Sequence, residues 1–203
     1  MYRYAEGTGT EALFKEITDI DFLSSTKLIC TDKRSHCLRL VDLSLSPPKT
    51  STLAGQCTKS GNSKHLYTAR LDFPTYTEVK SDKSTLFVLE RTKTIRMVDL
   101  RISNGTSLAT FNTHSKDMKL LGDSLLYFVQ ETRVIVFDIN TREERVVTGG
   151  EGSGITIGSF EHTRFENPYG FLVWEDEMNT LLLVADFGNN RFVFFLQLKG
   201  AIS

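Results

Sequence analysis

Three acidic residues, Asp32, Glu90 and Asp186, each close a short apolar run: "LICTD", "LFVLE" and "LLVAD". Carboxylates that recur at one repeat position can converge on a common axis, and such a set could hold a cation, which takes oxygen ligands. The same residues can instead accept hydrogen bonds in the turn that follows each run, as Asp commonly does. The second use is preferred, because a fourth run of this kind, "LYFVQ", ends on Gln130. Asp42, Asp99 and Asp138 lead into turns and are read in the same structural way. "GGEGSG", at 149–154, lacks the Lys and Ser/Thr of a phosphate-binding loop and precedes no helical pattern, so it is read as a connection between repeats. His36, His65, His114 and His162 stand in different contexts, and no spacing pairs one of them with a Ser or Cys nucleophile. Cys30, His36 and Cys37 lack the paired ligand spacing of a zinc site. The residues therefore specify no catalytic group, no metal and no cofactor. Asn104, in "NGT", is an N-glycosylation acceptor pattern that matters only outside the cytosol.

The elements that carry these residues repeat. "LICTD" (28–32), "LFVLE" (86–90), "LYFVQ" (126–130) and "LLVAD" (182–186) are followed at hairpin spacing by "LRLVD" (38–42), "IRMVD" (95–99), "VIVFD" (134–138) and "FVFFL" (192–196). Such β-branched and aromatic runs are of strand length. A preceding strand is expected in "ALFKEITDI", "ARLDFPTYT" and "TRFENPYGF", where Phe14, Leu71 and Phe165 share one position and Ile17, Pro74 and Pro168 the next. The third unit has lost this lead-in, and "DMKLLG" (117–122) supplies its first strand. Fourth strands follow in "KTSTLAG", "SLATF" and "ERVVTGG", whereas the last unit stops before its own. The opening "YRYAEG" resembles "TSTLAG", so the first residues are expected to complete the last unit and close a ring. Four units of about fifty residues, each with four strands, predict an all-β propeller in one domain spanning 1–203. No segment has the 3.6-residue period of a helical solenoid.

Lys and Arg (24) nearly balance Asp and Glu (25), and the pI is near 6.4, so there is no global attraction to nucleic acid or anionic membrane. No apolar run reaches the eighteen or so residues of a bilayer span, and "MYRYAEGTGTEA" lacks a signal-peptide core, so a soluble chain without membrane insertion is expected. Arg39 and Arg96 alternate with apolar neighbours and are read as surface stems or makers of intersheet hydrogen bonds. With Lys33 and Arg34 they are too few for a basic nucleic-acid face.

"DKRSHCLRLVDL", "TSTLAGQC" and "ARLDFP", with the similar turn "DFGNNR" at 186–191, resemble an NHL-repeat propeller. The resemblance covers the first, second and fourth units, while the third matches mainly by hydrophobic pattern. NHL propellers usually have six blades, so the alternative to a closed four-bladed ring is part of a six-bladed one, whose broad exposed sheet faces would associate. Cys30 shares the position of Val88, Phe128 and Val184 and is read as a small buried apolar side chain. Cys37 starts a third strand, Cys57 lies just beyond a fourth, and the resemblance implies a Cys37–Cys57 disulfide. A Cys30–Cys37 pairing across the hairpin also remains open, and a reducing compartment would leave three thiols. A scaffold without a catalytic constellation leads to a non-catalytic recognition or scaffold module, binding a protein or glycan through its loops. It is expected to be secreted, with the cytoplasm as alternative, and monomeric if the ring is closed. The resemblance also implies two alternatives, a metal-dependent lactonase or lyase acting at the channel mouth and an RNA-binding domain.

Overall fold

Short β-branched and aromatic runs separated by turn residues pair along the chain as antiparallel strands. The computed structural model describes residues 3–57, 71–92, 94–101, 106–110, 115, 117–159 and 162–198, with backbone alone at 106–110 and 197–198. The chain divides into two compact units, Met1–Asn112 and Thr113–Ser203.

The first unit holds two sheets. One is five-stranded, in the order β1 (Gly7–Thr8), β5 (Lys49–Ala54), β4 (Cys37–Asp42), β3 (Lys27–Asp32), β2 (Ile17–Ser24). The other runs β6 (Pro74–Val79), β7 (Thr85–Glu90), β8 (Thr94–Asp99), β9 (Thr106–Thr110). In the second unit a four-stranded sheet runs β10 (Met118–Leu121), β11 (Leu125–Gln130), β12 (Arg133–Asp138), β13 (Glu144–Thr148). Its companion is three-stranded: β14 (Pro168–Glu175), β15 (Asn179–Asp186), β16 (Arg191–Leu198). Every repeated run therefore forms the strand expected of it, and Ile17, Pro74 and Pro168 each open the first long strand of their sheet.

The opening segment does not complete the last sheet. Gly7 and Thr8 pair with Thr50 and Lys49 at the outer edge of the first sheet, and Ala5 bridges to Leu13. The spare strand lies on its own repeat because a short loop and a 3-10 turn at Gly9–Glu11 return the chain at once to the first lead-in. Pairing with β5, in the same repeat, closes a much shorter loop than pairing with β16 near the far end of the chain, and so carries a smaller entropy cost. The ring-closing strand expected from "YRYAEG" is thus corrected. Among the described residues, β16 has no strand on its outer edge.

Each unit has its own core between its two sheets. In the first, Ile29, Leu38 and Ala54 meet Leu71, Leu86, Val88 and Val98. In the second, Tyr127, Val134 and Val136 meet Val173, Leu182, Val184, Val193, Phe195 and the lead-in Phe165. Burying a side chain of this size contributes about 1.5–3 kcal/mol, so sheet-on-sheet packing is the main stabilising term. An aspartate fastens each contact. Asp19 Oδ2 accepts hydrogen bonds from Thr77 N (2.8 Å) and Thr77 Oγ1 (2.9 Å), and Asp117 Oδ2 accepts one from Phe171 N (3.0 Å).

Candidate functional site

The carboxylates that recur in the sequence are buried at one end of their sheets, each tying a lead-in segment to the hairpin beside it. Asp32 Oδ1 accepts hydrogen bonds from the backbone amides of Lys15 (3.1 Å) and Glu16 (3.0 Å). Glu90 Oε1 accepts one from Asp72 N (3.1 Å), and Asp186 Oδ1 one from Glu166 N (2.7 Å). Each acid also faces an arginine at or near the start of the next strand. Arg39 Nη1 lies 3.8 Å from Asp32, Arg96 Nη2 donates to Glu90 at 3.0 Å, and Arg191 Nε donates to Asp186 at 2.7 Å.

The arginines then reach further into the loops. Arg39 donates to the carbonyls of Leu13 (3.3 Å) and Ala5 (2.9 Å), and its guanidinium lies 4.5 Å from the Tyr4 ring centroid. Arg191 donates to the carbonyls of Ile155 (2.7 Å) and Arg164 (2.8 Å), while Asn189 Nδ2 donates to Asp186 at 2.8 Å. Charge-assisted hydrogen bonds of this kind are about twice as strong as neutral ones. Burial outweighs Arg96 at Glu90 and holds that carboxyl above its ordinary range.

This geometry extends one sequence reading and corrects another. The acids accept from the lead-in that precedes their sheet as well as from the hairpin that follows, which contributes Arg96 to Glu90 and both Asn189 and Arg191 to Asp186. Arg39 and Arg96 are buried rather than surface stems. Strand alternation points them inward toward an acid, and the signal was legible as an Asp or Glu followed by Arg at a spacing of five to seven residues. With Arg39 and Arg96 so used, and Lys33 and Arg34 both paired to Glu16, the four cations form no free phosphate-binding face. Asp19 and Asp117 were missed, since nothing in their local sequence marks an acid that reaches the next sheet.

Asp42, Asp99 and Asp138 cap turns as expected. Asp42 accepts from Ser44 N, Asp138 from Asn140 N, and Asp99 from Arg101, whose side-chain hydrogen bonds hold its carboxyl down at about 2. The hairpins "DKRSHC" and "DFGNNR" share one geometry, a 3-10 turn ended by a left-handed residue, His36 (φ 58°) or Asn190 (φ 50°). The glycine of "TLAG", Gly55, has φ 96°, and a Cβ there would lie 2.7 Å from the His36 carbonyl, so close packing against this hairpin requires glycine. The 149–154 loop is tied down by Thr132 Oγ1 donating to Gly150 O and by Asn189 Nδ2 donating to Gly154 O.

A disulfide joins Cys37 to Cys57, with Cα atoms 5.1 Å apart. Cys30 lies opposite Arg39, not Cys37, and is buried with a free thiol that burial pushes up in pKa. Ser159 Oγ and His162 Nδ1 lie 2.7 Å apart, a pair that the repeat did not suggest. Both are exposed in a turn that also carries the His162 N to Ser159 O hydrogen bond, and the contact serves that turn. His65, His114 and Asn104 lie outside the described residues. Among the described residues no group of three or more His, Cys, Asp or Glu is gathered for a metal. No described helix is long and apolar enough to cross a membrane.

What the clamped ends of the sheets present is aromatic and cationic. In the first unit Arg91 lies 4.0 Å from the Phe73 ring centroid, and His36 meets the same ring edge-on at 4.3 Å. In the second, Tyr169, Ala185, Phe187, Asn190, Arg191 and Phe192 line a hollow of about 320 Å³.

The sequence matches no protein-family model and no curated protein. The fold does have solved counterparts. A structural genomics protein of unknown function from Bacteroides thetaiotaomicron is similar at TM-score 0.61 and 16% identity, over 95% of this chain and 46% of that one. A chain of a nidogen/laminin complex aligns at TM-score 0.56 and 12% identity, over 90% and 64%. A chain of a mitotic checkpoint complex aligns at TM-score 0.54 and 13% identity, over 94% and 52%. This chain thus spans between about half and two thirds of the structures it resembles. At such identities the likeness bears on architecture alone, and with the repeated antiparallel sheets it supports a β-propeller fold.

Proposed function

We propose that residues 1–203 form one NHL-like propeller domain that works as a secreted, non-catalytic recognition module, binding a protein partner through the loops at the clamped end of its blades. The observation that carries this reading is the repeated clamp. Asp32, Glu90 and Asp186 are each occupied by backbone amides and an arginine, so they hold loops in place instead of facing a substrate. Loops ordered before binding lose little conformational entropy when a partner docks. Aromatic and Arg side chains, the types exposed on these loops at Arg91 and Phe187 with Phe73 half-buried beneath Arg91, are enriched in protein interfaces. A solved counterpart from the nidogen/laminin complex, itself an assembly, supports a protein as partner. The disulfide supports an oxidising compartment.

The test is a biosensor screen of the purified chain against extracellular proteins. A specific partner should bind at least about tenfold more weakly after a loop substitution in the unit that docks, Arg91→Ser in the first or Phe187→Ser in the second, a loss of about 1.4 kcal/mol or more. Leu43→Ser, at the opposite end of the first sheet, should leave the affinity unchanged. Binding lost equally at either end, or specific turnover of a substrate abolished by Asp186→Asn, would overturn the reading.

A further inference from the structure

The sheet-to-sheet contact is made once in each unit, with the same repeat positions on both sides. On the donating side, Ile29 and Leu38 of the first sheet correspond to Tyr127 and Val134 of the third, all buried in their unit's core. On the receiving side, Thr77 and Val79 of β6 correspond to Phe171 and Val173 of β14 by their pairing to Val88, Leu86, Val184 and Leu182. The last sheet carries a donating set of its own: Leu183 and Phe192 at the two donating positions, with Phe194, Leu196, Leu172 and Trp174 beside them. Where the earlier repeats bury these positions, Phe192 is 74% exposed and Phe194 70%. The first sheet in turn carries an unfilled receiving set. Ile20 and Phe22 pair with Cys30 and Leu28, and so stand where Thr77 and Val79 stand in the second sheet. They are 56% and 55% exposed.

Two apolar sheet faces are thus open on one molecule, and they are the two complementary halves of the contact made inside each unit. We propose that the donating face of the last sheet docks on the receiving face of the first sheet of a second copy of this chain. The pairing is head to tail, so each copy offers one face of each kind, and the assembly closes or extends according to the rotation between copies. The second copy is the occupant because this chain itself carries the matching face at the matching repeat positions. Apolar sheet faces of this extent on a soluble molecule mark sites of association. This inference does not depend on the ligand of the loops.

The test is the solution mass of the purified chain across a concentration series, by sedimentation or light scattering. Wild type is expected to associate. Phe194→Asp, which spoils only the donating face, and Phe22→Asp, which spoils only the receiving face, are each expected to weaken association at least about thirtyfold, the scale of a hot-spot loss. Both side chains are exposed in the single chain, and an unchanged circular dichroism melt checks that each variant folds. Mixing the two variants should restore a one-to-one complex, because one intact donor and one intact receiver remain. A wild-type monomer at every concentration would overturn the proposal and leave the face to a sheet of another chain. So would association that survives Phe22→Asp alone, which indicates a symmetric donor-to-donor contact, or the absence of a mixed complex.

Discussion

Removing the guanidinium of Arg191 tests the clamp where it is most complete. Arg191→Ala deletes the 2.7 Å bond to Asp186 together with the donors to the Ile155 and Arg164 carbonyls. The Asp186 side chain is fully buried, so the substitution leaves a carboxylate without its counterion. Breaking one partner of such a pair costs about 3–5 kcal/mol, a large share of the roughly 5–15 kcal/mol that holds a domain folded. Arg191→Lys should lose less, about 1–3 kcal/mol, because an ammonium can keep the acid but cannot span both carbonyls in one plane. Asp186→Asn combined with Arg191→Met should cost less than the sum of the two single changes by about 1–3 kcal/mol, since the pair acts as one unit. Trp174, the single tryptophan, lies on β14 of the same sheet, so urea unfolding followed by its fluorescence reports this region. An Arg191→Ala loss below about 1 kcal/mol, or full additivity in the double variant, would refute the idea that a buried, coupled pair holds the loops.

Three further outcomes are expected. Cys57→Ser opens the covalent loop between residues separated by 20 positions, and chain entropy sets the loss near 3 kcal/mol; urea midpoints with and without reductant should show it for wild type and show no reductant effect for the variant. Burial holds the Glu90 carboxyl above its ordinary 4.5, so the folded chain binds that proton more tightly than the unfolded chain does. The stability this group contributes is full below pH 4.5 and falls as the pH rises through the raised value, and Glu90→Gln should flatten that slope in melts between about pH 4 and 7. Cys30, buried and with its thiol pushed up, should resist alkylation in the native chain and react at the rate of free cysteine in denaturant, as read by mass spectrometry.

Much of the propeller is written in short-range patterns. "LRLVDL" and "IRMVDL" pair with the runs before them because period-two side chains and tight turns specify neighbouring strands without help from the rest of the chain. The repeated "DKRSHC" and "DFGNNR" turns, the glycine of "TLAG" and the aspartates that enter turns are local in the same sense. The Cys37–Cys57 disulfide follows the family resemblance, and the register excludes Cys30 by placing it against Arg39.

Other features were decided only in three dimensions. "YRYAEG" looks like a fourth strand wherever it is placed, and its sequence does not say which sheet edge wins; proximity to its own repeat does. An arginine between apolar neighbours reads as a surface stem until a buried acid from the preceding strand and carbonyls from a distant lead-in surround it, as they do at Arg39. Phe192 and Phe194 have side chains of the kind that fill cores, and only the stacking of sheets leaves them facing outward. The division follows range: hydrogen bonding and turn geometry act over a few residues and are visible in their order, whereas burial depends on which surfaces meet, and that is set by the whole chain at once.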